Sequence, residues 1–263
     1  MNKIKIIMEK EFDEFLKNKL LLGSTILIPL LFVVIASGLL LGVTYFPDLN
    51  NQDDLQMYLK LLPNASEMSA QEVMLMIFSK GLLTFFMMIP AIIPMMISSY
   101  SIIGEKKNRT LEPLLAAPIS VYDILIGKTL ASIIPALIMT YVAATLFIIV
   151  VTVGTYSIVN KFLFLDPMWF IGLFVLAPLL AFMGVLLTII ISSRVNDPRS
   201  AQQISVVIIL PIMGLFISQM TGLFLLDIKI IAIVTAVALL ADIGILVLGK
   251  ELFDREEILT RWT

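Results

Sequence analysis

Few residues in this chain are equipped for chemistry. Gly127-Lys128-Thr129 has the form of the last three positions of a phosphate-binding loop. That loop needs a leading glycine five positions before Gly127, and Tyr122 stands there; it also needs a strand before it, and none is predicted. Histidine and cysteine are both absent, which excludes imidazole bases, imidazole or thiolate metal sites, His-ligated haem and disulfides. The remaining candidates are polar groups within apolar sequence. Asp242 sits about twelve residues into the last apolar run, where an ionised carboxylate costs about 2.5–3.5 kcal/mol at the centre of a membrane helix. It therefore faces protein or water, or is protonated. It is either a group contacting a substrate or ion, or a buried polar contact to a neighbouring helix. Gln219, Ser98 and Ser99 are further candidates for a polar path, although serines in such helices often bond their own backbone.

The elements that must position these groups are six apolar runs, at residues 20–46, 81–103, 129–154, 170–192, 204–226 and 230–249. Each has about the 20 residues needed to cross about 30 Å of hydrocarbon. The hydrophobic fraction is 59% and the mean hydropathy +1.02, well above soluble norms. An all-α polytopic fold forming a single membrane domain over residues 1–263 is predicted.

The net charge of −2 hides an asymmetry. With the N-terminus placed inside, fourteen of the eighteen Lys and Arg residues fall in inside segments, and only Lys60, Lys80, Lys161 and Lys229 fall outside. Cationic segments resist translocation, so both termini are expected on the cytoplasmic side of the plasma membrane. The basic residues are spread among loops rather than gathered on one face, which argues against nucleic acid as a partner.

Residues 1–19 carry Ile4, Ile7, Met8, Phe12, Phe15 and Leu16 at helical steps, with Lys5, Glu9, Lys10, Asp13 and Glu14 on other faces. This predicts an amphipathic helix, lying on the bilayer interface or docked on a partner. In the first run, Gly38-x-x-x-Gly42 permits close helix approach, within the chain or against a second copy. The outside loop from Pro47 to Ser79 reads as a solvated cap with a short surface helix over Asp53–Leu62. Ser69-Ala-Gln-Glu72 has capping-box form and predicts a helix starting near Ala70. Pro90 and Pro94 predict a kink in the second run.

The inside loop 104–128 has room for a short helix capped by Thr110, with Leu111, Leu114 and Leu115 forming an apolar face and Pro118 ending it. An apolar face flanked by charge is a docking surface for a soluble partner. This segment carries a resemblance. Glu105, Arg109-Thr110-Leu111-Glu112, Leu114-Leu115, Pro118-Ile119-Ser120 and Gly127-Lys128 resemble the E-x-x-x-G-T-L-E signature, apolar pair, Pro-Ser and Gly-Lys of ABC-2 type transporter permeases, the transmembrane subunits of type V-like ABC exporters. Arg109 stands where many members have glycine. Arg194-Val-Asn-Asp197-Pro-Arg199 before Ala201-Gln202-Gln203, and the tail Leu252-Phe253-Asp254-Arg255-Glu256, extend the likeness over nearly the whole chain.

The resemblance implies a dimer of six-span subunits working with two ATP-binding-cassette ATPase subunits, which alone hold ATP and magnesium. The first cytoplasmic loop would act as the coupling helix, with Glu105, Arg109, Thr110, Leu111, Glu112, Leu114, Leu115 and Pro118 contacting or orienting the ATPase. This chain itself would be no enzyme and would bind no cofactor. Two other classes stay open from the residues alone: a secondary transporter or channel needing no ATPase, disfavoured by the scarcity of intramembrane charge, and a non-transporting membrane scaffold.

Overall fold

The computed structural model describes residues 3–45, 69–108, 119–159, 166–192, 195 and 197–252. Among them every regular element is a helix: α1 (Lys3–Lys17), α2 (Lys19–Tyr45), α3 (Ala70–Phe86), α4 (Met88–Lys107), α5 (Val121–Val159), α6 (Pro167–Ser192), α7 (Pro198–Met220) and α8 (Ile228–Leu252). Six segments are long and apolar enough to cross a bilayer: α2, α3 with α4, α5, α6, α7 and α8. The protein is an all-α, multi-pass membrane protein. The short helix expected over Asp53–Leu62 lies outside the described residues.

Local chemistry sets the helix starts. Ser69 and Glu72 form the expected capping box: the Glu72 N–H donates to Ser69 Oγ at 3.2 Å, and the Ser69 N–H donates to Glu72 Oε2 at 2.9 Å. The second span is therefore helical from Ala70, well before its apolar run begins. Asp166 and Asp197 cap α6 and α7, each followed by a proline at the first helical position, where the missing N–H costs nothing. Asp227 accepts from the N–H groups of Lys229 and Ile230 at the start of α8. The fifth span is displaced from the run expected at 204–226. Asp197 starts its helix early, and it ends at Met220, just before Gly222 turns the chain with φ at 71°. Hydropathy alone misplaced that span, because Leu225 and Leu226 are buried without being helical.

Three prolines coincide with irregular turns. A proline frees the carbonyl four residues before it. For Pro90 that residue is Phe86, the last of α3, and the helix breaks at Met87. For Pro178 it is Phe174, inside a π-helical turn over Gly172–Leu176, whose Ala177 N–H bonds Gly172 O. For Pro211 it is Val207, inside a 3₁₀ turn over Val206–Ile208. Pro29, Pro94 and Pro135 lie within uninterrupted α-helix.

The span built from α3 and α4 is the axis of the bundle: 83% of an apolar 18-residue stretch of it is buried, against 17% for the same length of α8. Around it, α4 packs on α6, α5 and α7, while α3 packs on α2 and α7. Gly184 of α6 meets α4 at backbone distance; a Cβ there would lie 2.8 Å from the Ala91 carbonyl oxygen. Phe86, Phe147 and Trp169 join α3, α5 and α6 through ring contacts of 4.7, 5.9 and 6.3 Å between centroids. By contrast, among the described residues nothing lies near the missing side chains of Gly38 and Gly42, so none of them packs against that face of α2.

Candidate functional site

The most charged buried site joins α1, the end of α4 and the start of α5. Helix α1 turns Ile7, Glu11 and Phe15 inward, a stripe at four-residue steps, and docks on α5. Gly127 lets it approach: a Cβ there would lie 2.8 Å from Ile7 Cγ2. Phe12 and Leu16 remain exposed, so the apolar stripe expected for this helix is shared between the chain's own α5 and the surroundings. That arrangement suits a helix lying at a bilayer surface.

Glu11 lies in the middle of the inward stripe and meets Lys128 of α5, with Oε1 and Nζ 2.7 Å apart. Lys128 Nζ also lies 2.8 Å from Glu105 Oε2 of α4. The other Glu105 oxygen is 2.6 Å from Lys10 Nζ, which returns the network to α1. Ser101 donates to Glu11 Oε2 and accepts from Lys128 Nζ at 2.9 Å. Side chains of Glu11, Lys128 and Glu105 are only 5, 5 and 4% exposed, so the pairs are held away from water. Glu14, more than half exposed, adds a third carboxylate at the rim, 3.5 Å from Lys10 Nζ. Gly127-Lys128-Thr129 is thus a stretch of continuous helix whose ammonium is held by two carboxylates.

Burial alone would raise the Glu11 pKa. The charge and hydrogen bond of Lys128, then the Ser101 hydroxyl and the charge of Lys10, outweigh it and hold Glu11 below its ordinary value. Burial also opposes the Lys10 ammonium, but its hydrogen bond and attraction to Glu105, with Glu11 and Glu14 beyond, raise its pKa. A depressed carboxylate stabilises the fold above its unfolded pKa and loses that contribution as pH falls through the folded value. Glu11 should therefore hold α1 fully above its ordinary value of 4.5 and progressively less below it. The raised Lys10 works oppositely: its contribution is complete below 10.5 and is lost above. With cysteine placed at Ile7, maleimide labelling should stay low from pH 5 to 8. After a brief exposure below pH 4.5 it should rise. Labelling no higher after that acid exposure than between pH 5 and 8 would deny Glu11 this role.

Of the residues of the family signature, Glu105 and Lys128 belong to this cluster. Arg109, Thr110, Leu111, Glu112, Leu114, Leu115 and Pro118 lie outside the described residues. Their segment leaves α4 just after Glu105, and α5 begins at Val121. The other candidates are scattered. Ser99 Oγ donates to its own helix at Met96 O and accepts from Gln202 Nε2 of α7 at 2.9 Å. Ser98 is buried beside it in sequence. Gln219 is fully buried and donates to Thr84 Oγ1 at 2.7 Å, about 20 Å further along the central span. Asp242 is 2% exposed, on the stripe of α8 that packs against α6, and neither of its oxygens has a hydrogen-bond partner among the described residues. No single site gathers these four.

Sequence reading missed Glu11, Ser101 and the pairing of Lys128. Glu11 was detectable, because it stands between Ile7 and Phe15 at four-residue steps, in the middle of the inward stripe. Lys128 drew notice only as part of Gly127-Lys128-Thr129 and of the Gly-Lys pair of the family signature, and neither reading paired it with Glu11.

A family model described as ABC-2 family transporter protein matches residues 5–241. A comparison with curated proteins finds no match. The matched region takes in α1, with its two cluster residues, and runs through all but the end of the last span, so the chain belongs to the ABC-2 family of transporter proteins.

Proposed function

We propose that this chain is the membrane-spanning permease subunit of an ATP-driven exporter, working with separate ATP-binding-cassette ATPase subunits and with a second copy of itself or a similar chain. Family membership supports the transporter reading. The observation that carries the coupling reading is the buried cluster. Glu105 lies just before the Arg109–Pro118 segment and Lys128 after it, and both are bound to α1. A push on that segment would reach α4, α5 and α1 together. ATP and magnesium belong to the partner, whose cycle changes the distance between two such segments and rocks the membrane halves.

The excess of positive residues supports a cytoplasmic position for this end of the bundle and for both termini. The open Gly38–Gly42 face of α2 leaves room for a second copy. Asp242, with Gln219, Ser98 and Ser99, is assigned to the translocation path.

Co-expression with a complete P-loop ATPase encoded beside this gene tests the reading. The expected result is a co-purified complex whose ATP hydrolysis is inhibited by vanadate. Transport by the chain reconstituted alone, without ATP, would contradict it.

A further inference from the structure

Ile231, Ala238 and Asp242 of α8 are buried at helical steps, on the stripe that packs against α6. Leu239, Leu240 and Ile243 beside them are exposed on the lipid side. Asp242 is therefore turned into the packing between two helices and away from lipid. Both its carboxyl oxygens are closed to water, and among the described residues neither has a hydrogen-bond partner.

No cation faces it from the elements around α8. Helix α6 holds no ionisable side chain between Pro167 and Ser192. Its two hydroxyls do not bond the carboxyl group: Thr188 donates to Gly184 O, and Ser192 Oγ meets no partner among the described residues. Where α8 comes near α3 and α7, around Thr84, Ile212, Ile231 and Val234, no lining residue is ionisable. On α8 itself, Lys229, Lys250 and Glu251 stand at the ends of the helix, about 12 Å or more along its axis.

A buried carboxylate keeps its charge only beside a cation or several donors. Without them and without water, it is neutralised by a proton. The neutral group is a donor, as a threonine hydroxyl is. A helix offers such a donor the carbonyl one turn back, as it does for Thr140 and Thr235. Of the six spans α8 is also the least buried, so its packing on α6 is the most easily parted.

We propose that Asp242 is a proton-binding site within the membrane domain. Its carboxyl group is neutral while α8 is packed on α6. When the two helices part and water enters, the O–H bond breaks, the proton leaves to water, and a carboxylate lines the gap. This deepens the assignment of Asp242 to the translocation path: the path is closed and apolar with the proton on, and wet and charged with it off. The wet path rests on that assignment; the bound proton does not. The packed form holds one proton more than the parted form. Rising pH therefore favours parting, by up to about tenfold for each pH unit.

Infrared spectroscopy of the full chain in phosphatidylcholine vesicles, without an ATPase, tests the proton. At pH 7 a protonated carboxyl C=O band is expected, and it should shift when aspartate carries a heavy carbon in its carboxyl group. Asp242→Asn should remove that labelled band, and so should Asp242→Glu. No labelled band, or one surviving in either variant, would overturn the site. Cysteine at Ala238, one turn from Asp242 on the buried stripe, tests the release. Between pH 6 and 8 its maleimide labelling should climb more steeply than in the same chain bearing Asp242→Asn, by up to about tenfold per unit. Identical pH profiles would overturn the release. A chain that passes both tests yet works without an ATPase would fail the exporter reading alone.

Discussion

Replacement of Lys128 by methionine is expected to release α1 from the bundle. Among the described residues, Lys128 is the one cation within hydrogen-bond distance of both Glu11 and Glu105, at 2.7 and 2.8 Å. Its loss leaves two carboxylates in the same buried site. Ser101 still bonds one of them, and Lys10, whose side chain is 42% exposed, still pairs with the other. Breaking a buried pair in this way costs about 3–5 kcal/mol, because the surviving charges stay out of water. A lower unfolding temperature in detergent is expected, together with strong maleimide labelling of cysteine at Ile7. The double variant Glu11→Gln with Lys128→Met should lose less than the sum of the singles, since one removed charge relieves the other. Strict additivity, or a buried Ile7 position in Lys128→Met, would show that the cluster does not hold α1.

The second large effect concerns the partner. Leu111→Asp with Leu115→Asp places two carboxylates on the face proposed to dock on the ATPase. Desolvating an unpaired charge in an interface is costly enough to abolish a complex of ordinary size. Co-purification of the ATPase should fall to background. Insertion of the chain should be unaffected, because neither residue belongs to one of the six apolar runs. A double variant that still pulls down its ATPase would disprove the docking face.

The fold was legible where a single residue type decides the local structure. Six apolar runs gave six spans, and the Ser69–Glu72 pair gave the start of α3. The bounds of the fifth span were not, because capping by Asp197 and the turn at Gly222 outweigh hydropathy there. The kink expected in the second run is present at Met87, before Pro90, but which of the other prolines disturb their helices was not legible. Pro94 continues an α-helix, whereas Pro90, Pro178 and Pro211 come after a break, a π-turn and a 3₁₀ turn. What differs is whether neighbouring helices tolerate a shifted backbone, and that is a property of the assembled bundle. The cluster shows the same division. Glu11 betrays itself within its own helix, but its partner Lys128 lies more than a hundred residues away. Asp242 was recognised as costly at its depth; that it turns inward against α6, away from the lipid-facing side of α8, required the packing.

Because the chain lacks cysteine, a single cysteine at Leu115 gives an unambiguous probe of the coupling segment. The account predicts that a membrane-impermeant maleimide reacts with it only from the cytoplasmic face. Bound ATPase should protect it, to a degree that changes with nucleotide. Reaction from the external face of sealed cells would contradict both the orientation and the coupling mechanism.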